Sequence, residues 1–114
     1  MGTLLPRDDN HHPIPALRLN PGGAHTLSLS ATPVRTAAAF SPQTRVISLY
    51  ATGAAFIRSG DAAVTAGSGD HYLPANLYLC LSVGDDALLR NRHTHLAAIS
   101  ADGSPQTLYL SELE

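Results

Sequence analysis

The chain has 114 residues, a single-domain length, and a domain of this size buries roughly two-thirds of its unfolded surface, enough for a core without metal or disulfide. Only 14% of the residues are charged, all seven cations are arginine and the net charge is −2; with no basic cluster, phosphate-backbone binding lacks its electrostatic footprint. No apolar run reaches the length of a membrane span, and Met1–Pro15 has no signal-peptide core, so the expected location is the cytoplasm when made.

Met1–Pro15 reads as a flexible arm. Pro6, Pro13 and Pro15 block helix and central strand, and Arg7, Asp8, Asp9 and Asn10 keep it solvated. The domain is expected over residues 16–114. Ala16–Leu19 is a weak strand closed by the turn residues Asn20-Pro21-Gly22-Gly23. His25–Ser30 alternates, with Leu27 and Leu29 on one face. Val34–Phe40 is ambiguous between a strand and a helical turn. Thr44–Ala51 is a strand. Ala54–Arg58 and Ala62–Ala66 read as a hairpin around Ser59-Gly60-Asp61, followed by the turn Gly67–Asp70. Asn76–Val83 places Leu77, Leu79, Leu81 and Val83 on one face, and Tyr78, Cys80 and Ser82 on the other. Gly84–Arg92 is a loop with a possible helical turn at Asp86–Leu89. His93–Ser100 and Gln106–Leu110 read as a last hairpin across Asp102-Gly103.

Eight or nine short strands at this spacing, with no ten-residue helical segment between them, give an all-β fold. The expectation is a small antiparallel β-sandwich, jelly-roll-like or Ig-like. Sparse charge, against roughly 25% in ordinary domains, has two readings: the codon usage of a GC-rich genome, or a surface partly covered by partner subunits. Cys80 is the only cysteine, and its apolar surroundings point to a buried, inert thiol.

Few residue patterns suggest chemistry. His93-Thr94-His95 on a strand would aim two imidazoles the same way, the start of a metal site, with His71 and Asp70 as further donors. The jelly-roll metal proteins called cupins carry such an HxH, but here Leu96-Ala97-Ala98-Ile99 follows with no glutamate, and Arg90 and Arg92 oppose a cation. No metal or other cofactor is expected, and His93 and His95 are expected at the surface or at an interface. Asp8-Asp9 and Asp85-Asp86 are sequence neighbours, not carboxylates converging on a cleft. Gly67-Ser68-Gly69-Asp70-His71 holds triad residue types, but consecutively, so they cannot meet as a triad. No catalytic residues are expected. Tyr72, Tyr78, Tyr109 and Arg92 are the candidate binding residues, because exposed strand tyrosines suit interfaces.

Three stretches carry a family resemblance: RVISLYATGAAFIRSGDAAVTA from Arg45, DHYLPANLYLCLSVG from Asp70 and THLAAISADGSPQTLYLSEL from Thr94. Together they resemble small virion proteins of tailed bacteriophages and prophages. The resemblance implies a non-enzymatic β-sandwich that self-associates, as a trimer, and docks on other virion proteins as a head-decoration, fibre-base or tail-associated subunit. Two other functions stay open. One is a carbohydrate- or peptide-binding module, with Tyr72 and Arg92 lining a pocket between the Gly67–Asp70 and Gly84–Arg92 loops. The other is a cupin-like metal protein.

Overall fold

The computed structural model describes residues 17–84 and 92–113. The Met1–Pro15 arm, the Asp85-Asp86 pair and the turn expected over Asp86–Leu89 lie outside the described residues. Alternating apolar positions build eight strands: β1 (Leu19–Leu29), β2 (Val34–Arg35), β3 (Val46–Ala51), β4 (Ala55–Gly60), β5 (His71–Leu73), β6 (Tyr78–Ser82), β7 (His95–Ser100) and β8 (Gln106–Leu113). No described residue is helical.

The strands form two four-stranded sheets, ordered β1-β8-β3-β6 and β2-β7-β4-β5, with every pair antiparallel. Among these strands only β4 and β5 are both chain neighbours and sheet neighbours; every other connection crosses between the sheets. This is the order of a jelly roll, in which two Greek keys wrap into a sandwich. The β-sandwich expected from strand spacing is therefore the observed architecture.

The inward faces meet in one core. Leu27 and Leu29 of β1, Ile47, Leu49 and Ala51 of β3, and Leu108 and Leu110 of β8 pack against Ala55, Ile57, Leu73, Leu96 and Ala98 of the second sheet. Leu49, Leu73, Leu96 and Leu108 have no exposed surface. Each such side chain contributes about 1.5–3 kcal/mol by leaving water.

Three expected local features form differently. Asn20-Pro21-Gly22-Gly23 is not a turn between strands but an irregularity inside β1, where the pairing with β8 slips between Leu19 and Ala24. Gly22 takes φ 78° there, which only glycine adopts cheaply. Ala62–Ala66 does not return as a strand, because β4 already has β7 on one side and β5 on the other. Instead it crosses the outside of the second sheet, where Val64 and Ala66 bury Ala97 and Ile99 and Arg35 Nη1 donates to the Val64 carbonyl at 3.0 Å. Finally, β7 and β8 are not a hairpin, since they belong to different sheets. Asp102-Gly103 turns the chain from one sheet to the other. Gly103 sits at φ 79°, and the Asp102 carboxylate accepts from the Ser104 amide at 2.9 Å and the Ser100 hydroxyl at 3.1 Å. Those bonds hold the Asp102 carboxyl below its ordinary value.

Candidate functional site

The two sheets differ on their outer sides. On the second sheet the 61–67 segment lies over Ala97, leaving it fully buried. On the outer side of the first sheet Ser48 is buried, while Tyr78 and Tyr109 stay exposed. Strand register arranges its outer side in rows running across β1, β8, β3 and β6. One row is Thr26, Tyr109, Tyr50 and Tyr78; the next is Ala24, Ser111, Ser48 and Cys80; the third is Leu19, Leu113, Val46 and Ser82. None of these residues is Asp, Glu, Lys, Arg or His.

The tyrosine row is held in place by its neighbours. The Tyr50 and Tyr78 rings lie 6.4 Å apart. The Tyr50 hydroxyl donates to Asn76 Oδ1 at 2.9 Å, and Asn76 itself occupies the left-handed region at φ 61°, where asparagine is tolerated. The Tyr78 hydroxyl lies 3.0 Å from Ser48 Oγ. Tyr78 and Tyr109 stay 63% and 51% exposed, so their rings offer apolar area already fixed in position. Cys80 corrects the sequence expectation. It is exposed, because the pleat that sends Leu79 and Leu81 inward sends Cys80 outward.

Two clefts meet around Arg58 and Ser59 at the end of β4. One, of about 320 Å³, opens between the sheets and is lined by Ile57, His71, Tyr72, Leu79, Leu81 and Leu96 together with Arg58, Ser59 and Ser82. The other, of about 480 Å³, is lined by Arg58, Ser59, Asp61, Val64, Arg92 and His93 among others. Tyr72 and Arg92 therefore line adjoining clefts, not one pocket. Tyr72 stands on the outer side of β5 against Phe56, with ring centroids 5.7 Å apart. Arg92 is half-buried, and its Nη1 donates to the carbonyls of Ser41 and Thr44 at 3.1 and 3.3 Å, which fastens the 41–44 turn. Arg58 reaches Asp70 only at 4.0 Å in an exposed position, a pair that adds little stability.

The histidines do not converge. The strand begins at His95, not His93. His93 is exposed, with Nδ1 2.7 Å from Ser59 Oγ. His95 is buried, with Nδ1 2.8 Å from Thr94 Oγ1; this differs from the surface or interface position expected for it. His71 lies on β5, and Asp70 accepts from the Gly67 amide at 2.7 Å. Among the described residues no three His, Cys, Asp or Glu side chains are grouped as metal ligands.

Sequence reading gave no role to Glu112, the most heavily bonded acid. Its side chain points inward near the end of β8 and is only 4% exposed. One carboxylate oxygen accepts from the Ser41 amide and the Thr44 hydroxyl, each at 2.6 Å; the other lies 2.7 Å from His25 Nε2. Burial pushes the carboxyl up, but the bonds from Thr44, His25 and Ser41, with the His25 imidazole alongside, outweigh it and hold Glu112 below the ordinary glutamate value. This cluster ties β1, β8 and the 41–44 turn together. It opens onto neither cleft, which marks it as architecture.

No family model, curated protein or solved structure matches the chain. No helix among the described residues is long and apolar enough to cross a membrane.

Proposed function

We propose that this chain is a non-enzymatic assembly subunit that associates with copies of itself through its first sheet. One observation carries the reading: the outer side of β1-β8-β3-β6 has rows without any charge, crossed by Tyr109, Tyr50 and Tyr78, while on the opposite outer side the chain's own 61–67 segment packs over Ala97 and Ile99. Four strands at about 4.8 Å spacing and six residues at about 3.3 Å rise give a face about 20 Å on each side, roughly 400 Å² per partner and about half of a standard interface, which makes the contact a weak one. A second copy meets this surface with no like-charge repulsion, and tyrosine adds contact area at low entropy cost. The setting on a phage or prophage particle comes from the sequence resemblance. Light scattering and sedimentation at tens of micromolar are expected to give a multiple of the 11.9 kDa chain mass. A strict monomer up to about 100 μM would overturn the reading.

A ligand-binding role is the second reading. The meeting of two clefts at Arg58, with apolar Leu79, Leu81 and Leu96 below and Arg92 and His93 beside, favours it. Titration with a panel of short peptides and oligosaccharides, read by Tyr72 fluorescence against Tyr72→Leu, tests it. Saturable binding abolished by Arg58→Ala supports this role; no saturable binding removes it.

A further inference from the structure

The four sheet edges are not equally protected. Edge strands normally carry a charge, a proline or a bulge, or are very short, since bare edges recruit further strands. Edge strand β1 contains Pro21 and the pairing irregularity after Leu19. Strand β2 is two residues long and includes Arg35. Strand β5 is three residues long and is followed by Pro74. Strand β6 alone, Tyr-Leu-Cys-Leu-Ser, is five residues with no charge, proline or bulge.

The register shows what that edge offers. The Val83 amide donates to the Arg45 carbonyl at 2.9 Å, so odd-numbered residues of this strand turn their backbone groups toward β3. Antiparallel alternation then turns the N–H and C=O of Tyr78, Cys80 and Ser82 toward the free edge. The sequence around Cys80 is also symmetric in polarity. Leu77 mirrors Val83, Leu79 mirrors Leu81, and Tyr78 mirrors Ser82.

We infer that two copies of this chain pair edge to edge along β6, antiparallel, with a two-fold axis through Cys80. This rests on the self-association proposed above, not on its outer-side contact, and places the contact at the edge of the same sheet. The pairing sets Cys80 opposite Cys80 of the second copy and Tyr78 opposite Ser82, forming about six main-chain hydrogen bonds. Leu79 and Leu81, both half-buried at the mouth of the 320 Å³ cleft, meet their mates on the inner side and lose their remaining contact with water. The contact is isologous. It closes as a dimer and joins two four-stranded sheets into one of eight strands. Strand β6 itself carries no charge to oppose it.

The test combines mass with cross-linking of the full-length chain. A short bis-maleimide is expected to link Cys80 to Cys80 in high yield at concentrations where light scattering gives twice the chain mass. Cys80→Ser is expected to keep the dimer and lose the cross-link. Cys80→Arg, at an exposed position that folding tolerates, sets two cations on the axis and is expected to weaken dimerisation at least tenfold. In a Cys80→Ser background, Ser111→Cys, in the same outer row but two strands inward, is expected not to cross-link. An oligomer cross-linked through Ser111→Cys and not through Cys80 would overturn the edge contact while leaving self-association standing. So would a trimer, or a dimer indifferent to Cys80→Arg. A monomer at all concentrations would overturn both. A monomer whose Cys80 resists maleimide would overturn this inference too, and would assign the edge to another segment of the same chain.

Discussion

Replacing Glu112 with alanine tests whether the buried carboxylate is a keystone of the first sheet. In the native state it accepts from the Ser41 amide, the Thr44 hydroxyl and His25 Nε2 within 2.6–2.7 Å. Alanine leaves those three donors without their acceptor in a site that is 4% exposed. A buried polar group stripped of its partner costs about 1–3 kcal/mol. Water entering the vacated space recovers part of the total, so the expected loss is about 2–4 kcal/mol. For a domain of this size that lowers Tm by roughly 8–16 °C. Glu112→Gln keeps the shape and some of the bonds but loses the charge, and about half of that cost is expected. The pH dependence has a definite sign. The folded carboxyl titrates below its ordinary value, whereas the unfolded one titrates near 4.3. Its contribution is therefore complete above the unfolded value and disappears as pH falls through the folded one. Urea unfolding of wild type and Glu112→Gln between pH 3 and pH 7, at one protein concentration, reads both effects. Glu112→Ala within about 0.5 kcal/mol of wild type, or an acid limb unchanged in Glu112→Gln, would refute the account.

Three further outcomes follow from the same geometry. Cys80 is expected to react with a thiol reagent in native protein held dilute enough to be monomeric, and a thiol reached only in denaturant would return it to the core. Leu49→Ala is expected to cost about 2–5 kcal/mol in urea unfolding, because Leu49 is fully buried between the sheets and its loss leaves a cavity; a cost under about 1 kcal/mol would show the core collapsing around it. Gly103→Ala is expected to cost roughly 1 kcal/mol or more at φ 79°, while Gly69→Ala, with open space around it and no positive φ, is expected to be near neutral. Equal effects at the two glycines would refute the conformational argument.

Strand identity was legible in the sequence wherever alternation was clean. Leu79, Leu81 and Val83 face inward, and Tyr78, Cys80 and Ser82 outward, as the pattern required, but Leu77, expected on the inward face, precedes the strand and is exposed. Two features misled. Ala62–Ala66 has the composition of a strand, yet both edges of β4 are taken, so the segment caps the sheet instead. Asp102-Gly103 is a strong hairpin signal, but a tight turn fixes only where the chain reverses, not whether the next strand stays in the same sheet. In a fold where nearly every connection crosses between sheets, chain adjacency says little about strand order, and so the tyrosine row could not be seen. Tyr50, Tyr78 and Tyr109 are 28 and 31 residues apart in turn, and only the register brings them side by side.

Cys80 and Glu112 show the same limit from opposite directions. The neighbours of Cys80 along the chain are apolar, which suggests burial; across the sheet its neighbour is Ser48 on the outer side, and it is exposed. Glu112 stands in the stretch Ser111-Glu112-Leu113-Glu114, whose two acids suggest exposure; across the fold it meets Ser41, Thr44 and His25, and it is buried. For a strand residue, burial depends on pleat parity and on what lies across the sheet, and local hydrophobicity is only an average over both faces. That average hid the feature on which the proposed contact depends. Strand β6 is apolar enough to look like the centre of a core, yet it stands last in its sheet. An interior composition on an edge strand is what a strand needs if another strand of the same kind is to cover it.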